Sequence, residues 1–203
     1  RELVQKKETA VSELVKNAYD ADATEVNLIF ENTNSPGGTL KIIDNGHGMS
    51  RDRFINAFMR ISSLDKINNP QSPKYNRQKA GRKGIGRFSA QRLGSKLVLV
   101  TKTQNMEMAI KVEINWEEYK GEKELVGIRH DIEEVSIDDE HGTMLTIGNL
   151  REKWTEAQIQ RVYRYISDLI QPYPLSKERK DDKNKQDPGF KANFYKLDNG
   201  EPK

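Results

Sequence analysis

The sequence ELVKNAYDADAT, residues 13–24, carries the pattern on which the fold assignment depends. Apolar residues around it recur at helical spacing and predict a first helix over about Lys7–Tyr19. On that helix Glu13, Asn17 and Asp20 fall within about 60° of one another, at about 100° per residue. A carboxylate and an amide one turn apart can face a single bound ion and its water. The same spacing is also typical of an ordinary solvated helix face.

A second motif, DNGHGM, occupies residues 44–49 at the end of a predicted strand. Gly46 and Gly48 allow the backbone to approach a flat ligand closely. The Asp44 carboxylate only accepts hydrogen bonds, so it suits the amino group of adenine and opposes the carbonyl group of guanine. The alternative interpretation is an Asn-Gly turn followed by a helix that Ser50 caps.

The third motif is the glycine cluster GRKGIG, residues 81–86. Successive backbone N–H groups in such a turn can form an anion-binding nest, and the helix that follows adds partial positive charge. It is not a P-loop, because Arg87 and Phe88 stand where that motif needs Lys and Ser or Thr. It also differs from the dinucleotide-binding fingerprint GxGxxG, because Ser89 stands where that motif has its third Gly. A flexible basic loop is the alternative.

Hydrophobic periodicity along the chain alternates between strand and helix patterns. Strand patterns cover Thr24–Phe30, Thr39–Ile43, Lys96–Thr101, Met108–Ile114 and Thr143–Ile147. Helix patterns follow Ser50 through Phe58 and Ile61, follow the glycine cluster, and cover Glu156–Ile170, where Thr155 and Gln158 fit a capping box. These patterns predict one domain of mixed α and β structure.

Two polar stretches interrupt this pattern. Residues 62–83 are polar and basic, and a loop of this length inside a compact domain is typical of a lid or of a disordered segment. We expect it to be a lid that orders around a ligand. The predicted domain spans residues 1–175, and residues 176–203 are predicted to be a polar linker or the start of a following region.

The bulk composition excludes several classes of protein. The 203 residues include 34 basic and 31 acidic side chains, so a net charge of +3 gives no support for nucleic-acid binding, although it does not forbid it. No apolar run approaches the roughly 20 residues that span a bilayer. The lack of cysteine excludes disulfides and thiolate metal sites and favours the cytoplasm. The chain starts at Arg1, so we expect it to be a fragment.

In combination and in this order, the motifs resemble those of the GHKL superfamily, which includes gyrase B, the large heat-shock chaperones, histidine kinases and MutL. Residues 13–21 resemble its N box, residues 44–49 its adenine-binding DxGxG box, residues 81–86 its second glycine box, and Gly142-Thr143 its late Gly-Thr pair. The resemblance covers about residues 8–150. Residues 13–24 look most like MutL and MORC-like ATPases, and residues 81–94 like uncharacterised bacterial GHKL proteins.

This resemblance implies a Bergerat-type two-layer α/β (α+β) sandwich, with helices on one face of a mixed, mainly antiparallel sheet. The implied function is Mg²⁺-dependent ATP binding and slow hydrolysis, which drives homodimerisation or a conformational change of a larger protein. Two alternatives stay open. One is a nucleotide-sensing module without turnover. The other is a domain of the histidine-kinase type, which usually lacks an acidic residue at the place of Glu13.

The resemblance also implies roles for individual residues. Glu13 is the base that activates water, and Asn17 is the Mg²⁺ ligand. ATP or ADP is held by Asp44, Gly46, Gly48, Met49, Lys83, Gly84, Ile85, Gly86 and Thr143. Asp20 matches the N box, and His47 stands at a variable position without an assigned role. From the sequence itself, the Thr143 hydroxyl at a strand start could support the base next to Asp44, but a threonine in a strand is more often simply a β-forming residue.

Overall fold

A computed structural model describes residues 6–55, 70–81, 86–119, 131–170 and 187–202. The helices are α1 (Lys7–Asp20), α2 (Arg51–Arg53), α3 (Gly86–Leu93) and α4 (Glu156–Ile170), with a 3₁₀ helix at Trp116–Tyr119. The strands are β1 (Glu25–Glu31), β2 (Thr39–Asp44), β3 (Gly94–Lys102), β4 (Ala109–Asn115), β5 (Ile132–Val135), β6 (Gly142–Leu150), β7 (Lys191–Asp198) and β8 (Glu201–Pro202). Within these ranges, no helix has the length and apolar character that a membrane span needs.

The described strands form one sheet in the order β5-β4-β3-β6-β2-β1-β7-β8. The pairing of β1 with β7 is parallel, and the other pairings among these strands are antiparallel. The prediction of an α/β fold with a mixed, mainly antiparallel sheet is therefore confirmed. Of these eight strands, the sequence patterns had predicted five and missed β5, β7 and β8.

One face of the sheet lines the hydrophobic core, to which the helices also contribute. Alternate residues Val26, Leu28 and Phe30 of β1 are fully buried, because successive side chains of a strand point to opposite faces. Antiparallel register continues these rows across the sheet, for example from Phe30 to Leu40 and on to Ile147. Helix α1 packs against both α3 and α4 and adds its own buried apolar side chains to the same core.

Two helix starts have the predicted caps. The backbone N–H of Thr155 donates to Oε1 of Gln158 at 3.0 Å, and the N–H of Gln158 donates to Oγ1 of Thr155 at 3.4 Å, which is a capping box. At α2, the N–H of Arg53 donates to Oγ of Ser50 at 3.3 Å. The predicted continuation of this helix through residues 58–61 lies outside the described residues.

The sheet continues past the boundary predicted at residue 175. Strand β7 pairs in parallel with the whole of β1, so residues 191–198 belong to the sheet and not to a linker. Phe194 and Ala192 of β7 pack against the core, which explains why the chain returns here. Residues 171–186 lie outside the described residues, and the division of the chain into domains stays a prediction.

Residues 70–81, which belong to the predicted lid, are packed against the end of α1. Asp22, in a left-handed conformation with φ +59°, accepts a hydrogen bond from Oγ of Ser72 at 2.5 Å. It also accepts from the N–H groups of Lys74 at 2.8 Å and Tyr75 at 3.1 Å. Ser72 is 1% exposed, so buried polar contacts anchor this stretch. The other residues of the predicted lid, 62–69, 82 and 83, lie outside the described ranges.

Arg77 is the buried centre of this anchored segment. It is 4% exposed, and its guanidinium makes a two-pronged contact with Asp187, with N···O distances of 2.8 and 2.6 Å. The same group donates to the carbonyl oxygens of Ala23 at 2.5 Å and Gly189 at 2.9 Å. It also lies over the ring of Tyr19, 4.8 Å from the centroid. Arg77 thereby joins the segment to the residues that precede β7.

We predict that Arg77→Met lowers the free energy of unfolding by about 3 kcal/mol, because it strands the Asp187 carboxylate and two carbonyl groups in a partly buried place. Arg77→Lys should recover part of this loss, since an ammonium group keeps the charge but not the planar fork. The partly exposed pair of Lys41 and Glu31, 3.7 Å apart, supplies the control: Lys41→Met should cost less than about 1 kcal/mol. Denaturant unfolding measures all three, and equal losses for Arg77→Met and Lys41→Met would contradict the assignment.

Candidate functional site

Three strand ends meet at one edge of the sheet. In the register of the sheet, Asp44 at the end of β2 lies opposite Thr143 at the start of β6, and Thr143 lies opposite Thr101 near the end of β3. The row continues into buried Val26 on one side and buried Ile110 on the other. The structure thus brings together two residues that the sequence predicted, Asp44 and Thr143, and adds Thr101.

Backbone amides hold the half-buried Asp44 carboxylate. The N–H of Gly46 donates to its Oδ1 at 2.9 Å, and the N–H of Thr143 also donates to the carboxylate. Burial raises the pKa of Asp44 to about 6, against the opposing effects of these two hydrogen bonds and of nearby His141. A half-buried carboxylate is a strong acceptor for a ligand's N–H group, because it carries charge and is only partly hydrated.

The two glycines after Asp44 are required by the protein's own backbone. Gly48 has φ +65°, and a Cβ there would collide with the carbonyl oxygen of Lys102 on β3. A Cβ on Gly46 would lie 2.8 Å from the carbonyl oxygen of Ala21, at the end of α1. The loop is therefore pressed between α1 and β3. Contact of either glycine with a nucleotide, which the sequence predicted, stays a prediction.

Thr101 fastens this loop and was missed by the sequence patterns. It is 0% exposed, and its Oγ1 accepts from the N–H of Met49 at 2.9 Å and donates to the carbonyl oxygen of Gly142 at 3.0 Å. A further contact of 3.0 Å joins the hydroxyl oxygens of Thr101 and Thr143. A threonine in a strand is ordinarily a β-former, and its role here depends on strand register, which the sequence does not state.

Two histidines hold the carbonyl groups of the loop glycines. Nδ1 of His141 lies 2.7 Å from the Gly46 carbonyl oxygen, and Nδ1 of His47 lies 2.8 Å from that of Gly48. Because a carbonyl oxygen can only accept, each Nδ1 carries the hydrogen. Burial lowers the pKa of His47, so its ring is neutral near pH 7. Nε2 of His47 is buried without a hydrogen-bond partner among the described residues.

Helix α1 presents the predicted catalytic and metal residues on its polar side. The Glu13 side chain is 15% exposed, and its Oε1 lies 2.7 Å from Nζ of Lys16. Asn17 lies one turn further along the helix and is half-buried. Among the residues that the structure describes, no group of three or more His, Asp or Glu side chains could hold a metal ion.

Asp20 fixes the first glycine of the cluster. Its carboxylate accepts from the N–H of Ala80 at 2.7 Å and from the N–H of Gly81 at 3.2 Å. At the other end of the cluster, Gly86 begins α3. Lys83, Gly84 and Ile85, which the sequence predicted to hold phosphates, lie outside the described residues. Asp20, which the sequence matched to the N box without a role, thus positions the entry to the cluster.

The fold and the acceptor site at the strand ends define the class of ATP-binding domains in which helices cover one face of a mixed sheet. A family model described as "Histidine kinase-, DNA gyrase B-, and HSP90-like ATPase" matches residues 5–143. The chain therefore belongs to this family, and its membership of the GHKL superfamily is confirmed. The matched region includes Glu13, Asn17, Asp44 and Thr143.

Curated relatives agree with this assignment. The chain is 43% identical over 72 residues to the DNA mismatch repair protein MutL of Xylella fastidiosa (strain 9a5c), which covers 32% of the chain and 11% of that protein. It is 34% identical over 114 residues to the ATPase morc-1 of Caenorhabditis elegans, and this match covers 56% of the chain and 12% of that protein. It is 29% identical over 119 residues to the ATPase MORC2B of Mus musculus, and this match covers 58% of the chain and 11% of that protein. The matches thus span about a tenth of these relatives' lengths.

We predict that Gly48→Ala lowers the free energy of unfolding by more than about 2 kcal/mol, since a left-handed φ and a collision with a backbone carbonyl both oppose the methyl group. Gly148 on β6 is the matched control, because a Cβ there would meet Lys96 at an ordinary 3.8 Å. Gly148→Ala should change stability by less than about 1 kcal/mol. Thermal unfolding of both variants tests this, and comparable losses would show that the loop can move away from β3.

The raised pKa of Asp44 predicts a dependence of stability on pH. The folded state holds the Asp44 proton more tightly than the unfolded state, in which the carboxyl has its ordinary pKa of 3.8. The stability that this proton adds to the folded state is fully present below the pKa of the unfolded state and is lost as pH rises through about 6. Asp44→Asn removes the titrating group, so its stability relative to the wild type should rise by about 1 kcal/mol between about pH 5 and pH 7.5. Urea unfolding of both proteins at both pH values measures this change. The same difference in free energy of unfolding at the two pH values would contradict a raised pKa.

Proposed function

We propose that this chain binds Mg-ATP at the edge where β2 and β3 end and β6 begins, and that it hydrolyses ATP slowly. The observation that carries the proposal is the Asp44 carboxylate, half-buried and held by the amides of Gly46 and Thr143. A ligand that satisfies such an acceptor must present an N–H group. The exocyclic amino group of adenine does so, whereas guanine presents a carbonyl oxygen at the same ring position.

The phosphates are assigned to the glycine cluster. Asp20 fixes the amide of Gly81 at one end, and the N-terminus of α3 contributes partial positive charge at the other. Lys83, Gly84 and Ile85 lie between these two fixed points in the sequence, and we propose that they and Gly86 hold the phosphates. We also propose that residues 62–83 close over the bound nucleotide, with residues 70–81 as the anchored base of that lid.

Hydrolysis is assigned to α1. Oε1 of Glu13 is engaged by Lys16, so we assign Oε2 to accept the proton of the attacking water. The side-chain oxygen of Asn17 suits Mg²⁺, which takes one or two protein oxygens and completes its shell with waters and phosphates. A cluster of carboxylates is therefore not needed. When bound, Mg²⁺ neutralises charge on the phosphates.

The presence of Glu13 also favours an ATPase over the two alternative functions. A domain of the histidine-kinase type usually lacks an acidic residue at this place, and a nucleotide sensor has no need of one. The names of the relatives, a mismatch repair protein and two ATPases, favour an ATPase module within a longer protein. We propose that ATP binding promotes homodimerisation or a conformational change of that protein.

Calorimetry with ADP and GDP, followed by a phosphate-release assay with ATP, tests the proposal. The wild type should bind ADP more tightly than GDP, and Asp44→Asn should lose about 1.5–3 kcal/mol of ADP binding, the usual value of a hydrogen bond to a charged group. Glu13→Ala should bind ADP as the wild type does but release no phosphate. Glu31→Ala, on the strand β1, is the control and should leave both measurements unchanged. Equal affinities for ADP and GDP would remove the adenine assignment, and unchanged turnover by Glu13→Ala would remove the base.

A further inference from the structure

We propose that Thr101 is a positioning residue for purine specificity, because it orients the hydroxyl of Thr143 so that this group can accept but not donate a hydrogen bond to the ligand. The inference rests on the proposed function, since it concerns the base that the Asp44 site would bind. Thr101 itself is 0% exposed, so it acts through Thr143 and not by touching the ligand.

Counting hydrogens fixes the direction of the contact between the two threonines. The Thr101 hydroxyl has one hydrogen to donate and two lone pairs to accept with. The Met49 N–H fills one lone pair at 2.9 Å, and the Gly142 carbonyl oxygen, which can only accept, takes the single hydrogen at 3.0 Å. The 3.0 Å contact with Thr143 is then satisfied in one way, by the Thr143 hydroxyl donating to Thr101.

The arrangement is held firmly. If Thr101 turned its hydrogen toward Thr143, its hydrogen bond to the Gly142 carbonyl oxygen would be lost inside a buried site, at a cost of about 0.5–1.5 kcal/mol. The Met49 N–H blocks one lone pair, and the buried side chain leaves no solvent to compensate. A low-dielectric surrounding strengthens each of these bonds.

The consequence concerns what a ligand must present. With its hydrogen already used, half-buried Thr143 offers the ligand lone pairs, and Asp44, its register partner on β2, also offers lone pairs. Two neighbouring acceptors therefore line this part of the site. A 6-aminopurine or a bridging water can supply hydrogens to them, whereas the carbonyl oxygen of a 6-oxopurine meets lone pairs at both. Thr101 thus adds to the discrimination that Asp44 already provides.

The test compares ADP with inosine 5′-diphosphate, whose base carries a carbonyl oxygen in place of the 6-amino group of adenine. Thr101→Val keeps the shape of the side chain but cannot accept the Thr143 hydrogen, so the Thr143 hydroxyl becomes free to donate to a carbonyl oxygen. We expect the ratio of the affinity for ADP to the affinity for inosine 5′-diphosphate, measured by calorimetry, to fall about tenfold in Thr101→Val. Thr101→Ser keeps the hydroxyl and should keep the ratio.

Two further variants separate this role from a general loss of structure. Thr146→Val lies on the same strand β6, but on the opposite face of the sheet, where Thr146 pairs with Lys41 and Val98. It should leave the ratio unchanged. In a Thr143→Val background, Thr101→Val should no longer alter the ratio, because there is no hydroxyl left to orient.

The outcomes are distinguishable. A fall in the ratio that Thr101→Ser reverses and Thr143→Val abolishes supports the inference. If Thr101→Val weakens ADP and inosine 5′-diphosphate by the same factor, Thr101 is merely structural and the inference is overturned while the proposed function stands. If the folded wild type binds neither nucleotide, the proposed function itself is overturned.

Discussion

The constraint on which the site depends is the placement of a carboxylate inside a row of core residues, at the last residue of the central strand β2. Asp44 stands where Val26 and Ile110 of the same row are buried apolar side chains, so its charge loses much of its hydration. Backbone N–H groups from Gly46 and Thr143 compensate in part. Because the Gly46 amide belongs to the turn directly after β2, the chain must fold back immediately, and this explains why a left-handed glycine at position 48 follows so closely.

The last turn of α1 connects the two halves of the site. The carbonyl oxygen of Ala21 accepts from the N–H of His47 at 2.9 Å, which places the loop after β2. The neighbouring Asp20 holds the amide of Gly81, which places the entry to the glycine cluster. Consecutive residues of one helix end thus position the proposed base-binding loop and the proposed phosphate-binding loop. Their relative distance is set by a rigid element, as a preorganised site requires.

Local sequence patterns predicted what local physics determines. The bounds of α4 and its capping box were predicted as observed, because helical periodicity and caps depend on residues a few positions apart. Strand β7 was missed although Phe190, Ala192 and Phe194 alternate, because its parallel pairing with β1 joins residues far apart in sequence. Short, charged β5 carries too little pattern to be identified.

The missed residues of the site have a related explanation. Thr101 gains its function from register, which sets Thr143 opposite it, and nothing in the segment around Thr101 encodes that pairing. Arg77 lies in the stretch that the sequence marks only as polar and basic, and arginine is rarely buried without a partner. Its partner, Asp187, is 110 residues away along the chain. Long-range electrostatic pairs of this kind leave no periodic signal.

The Arg77 contact also links the site to the C-terminal part of the described chain. The segment 70–81 holds Gly81 at one end and Arg77 in its middle, and Arg77 grips Asp187 just before β7. Since β7 is fixed to β1 along its length, the segment cannot move outward as a rigid unit without breaking the two-pronged contact with Asp187. The packing of residues 70–81 thus restricts which part of the lid can close over a nucleotide.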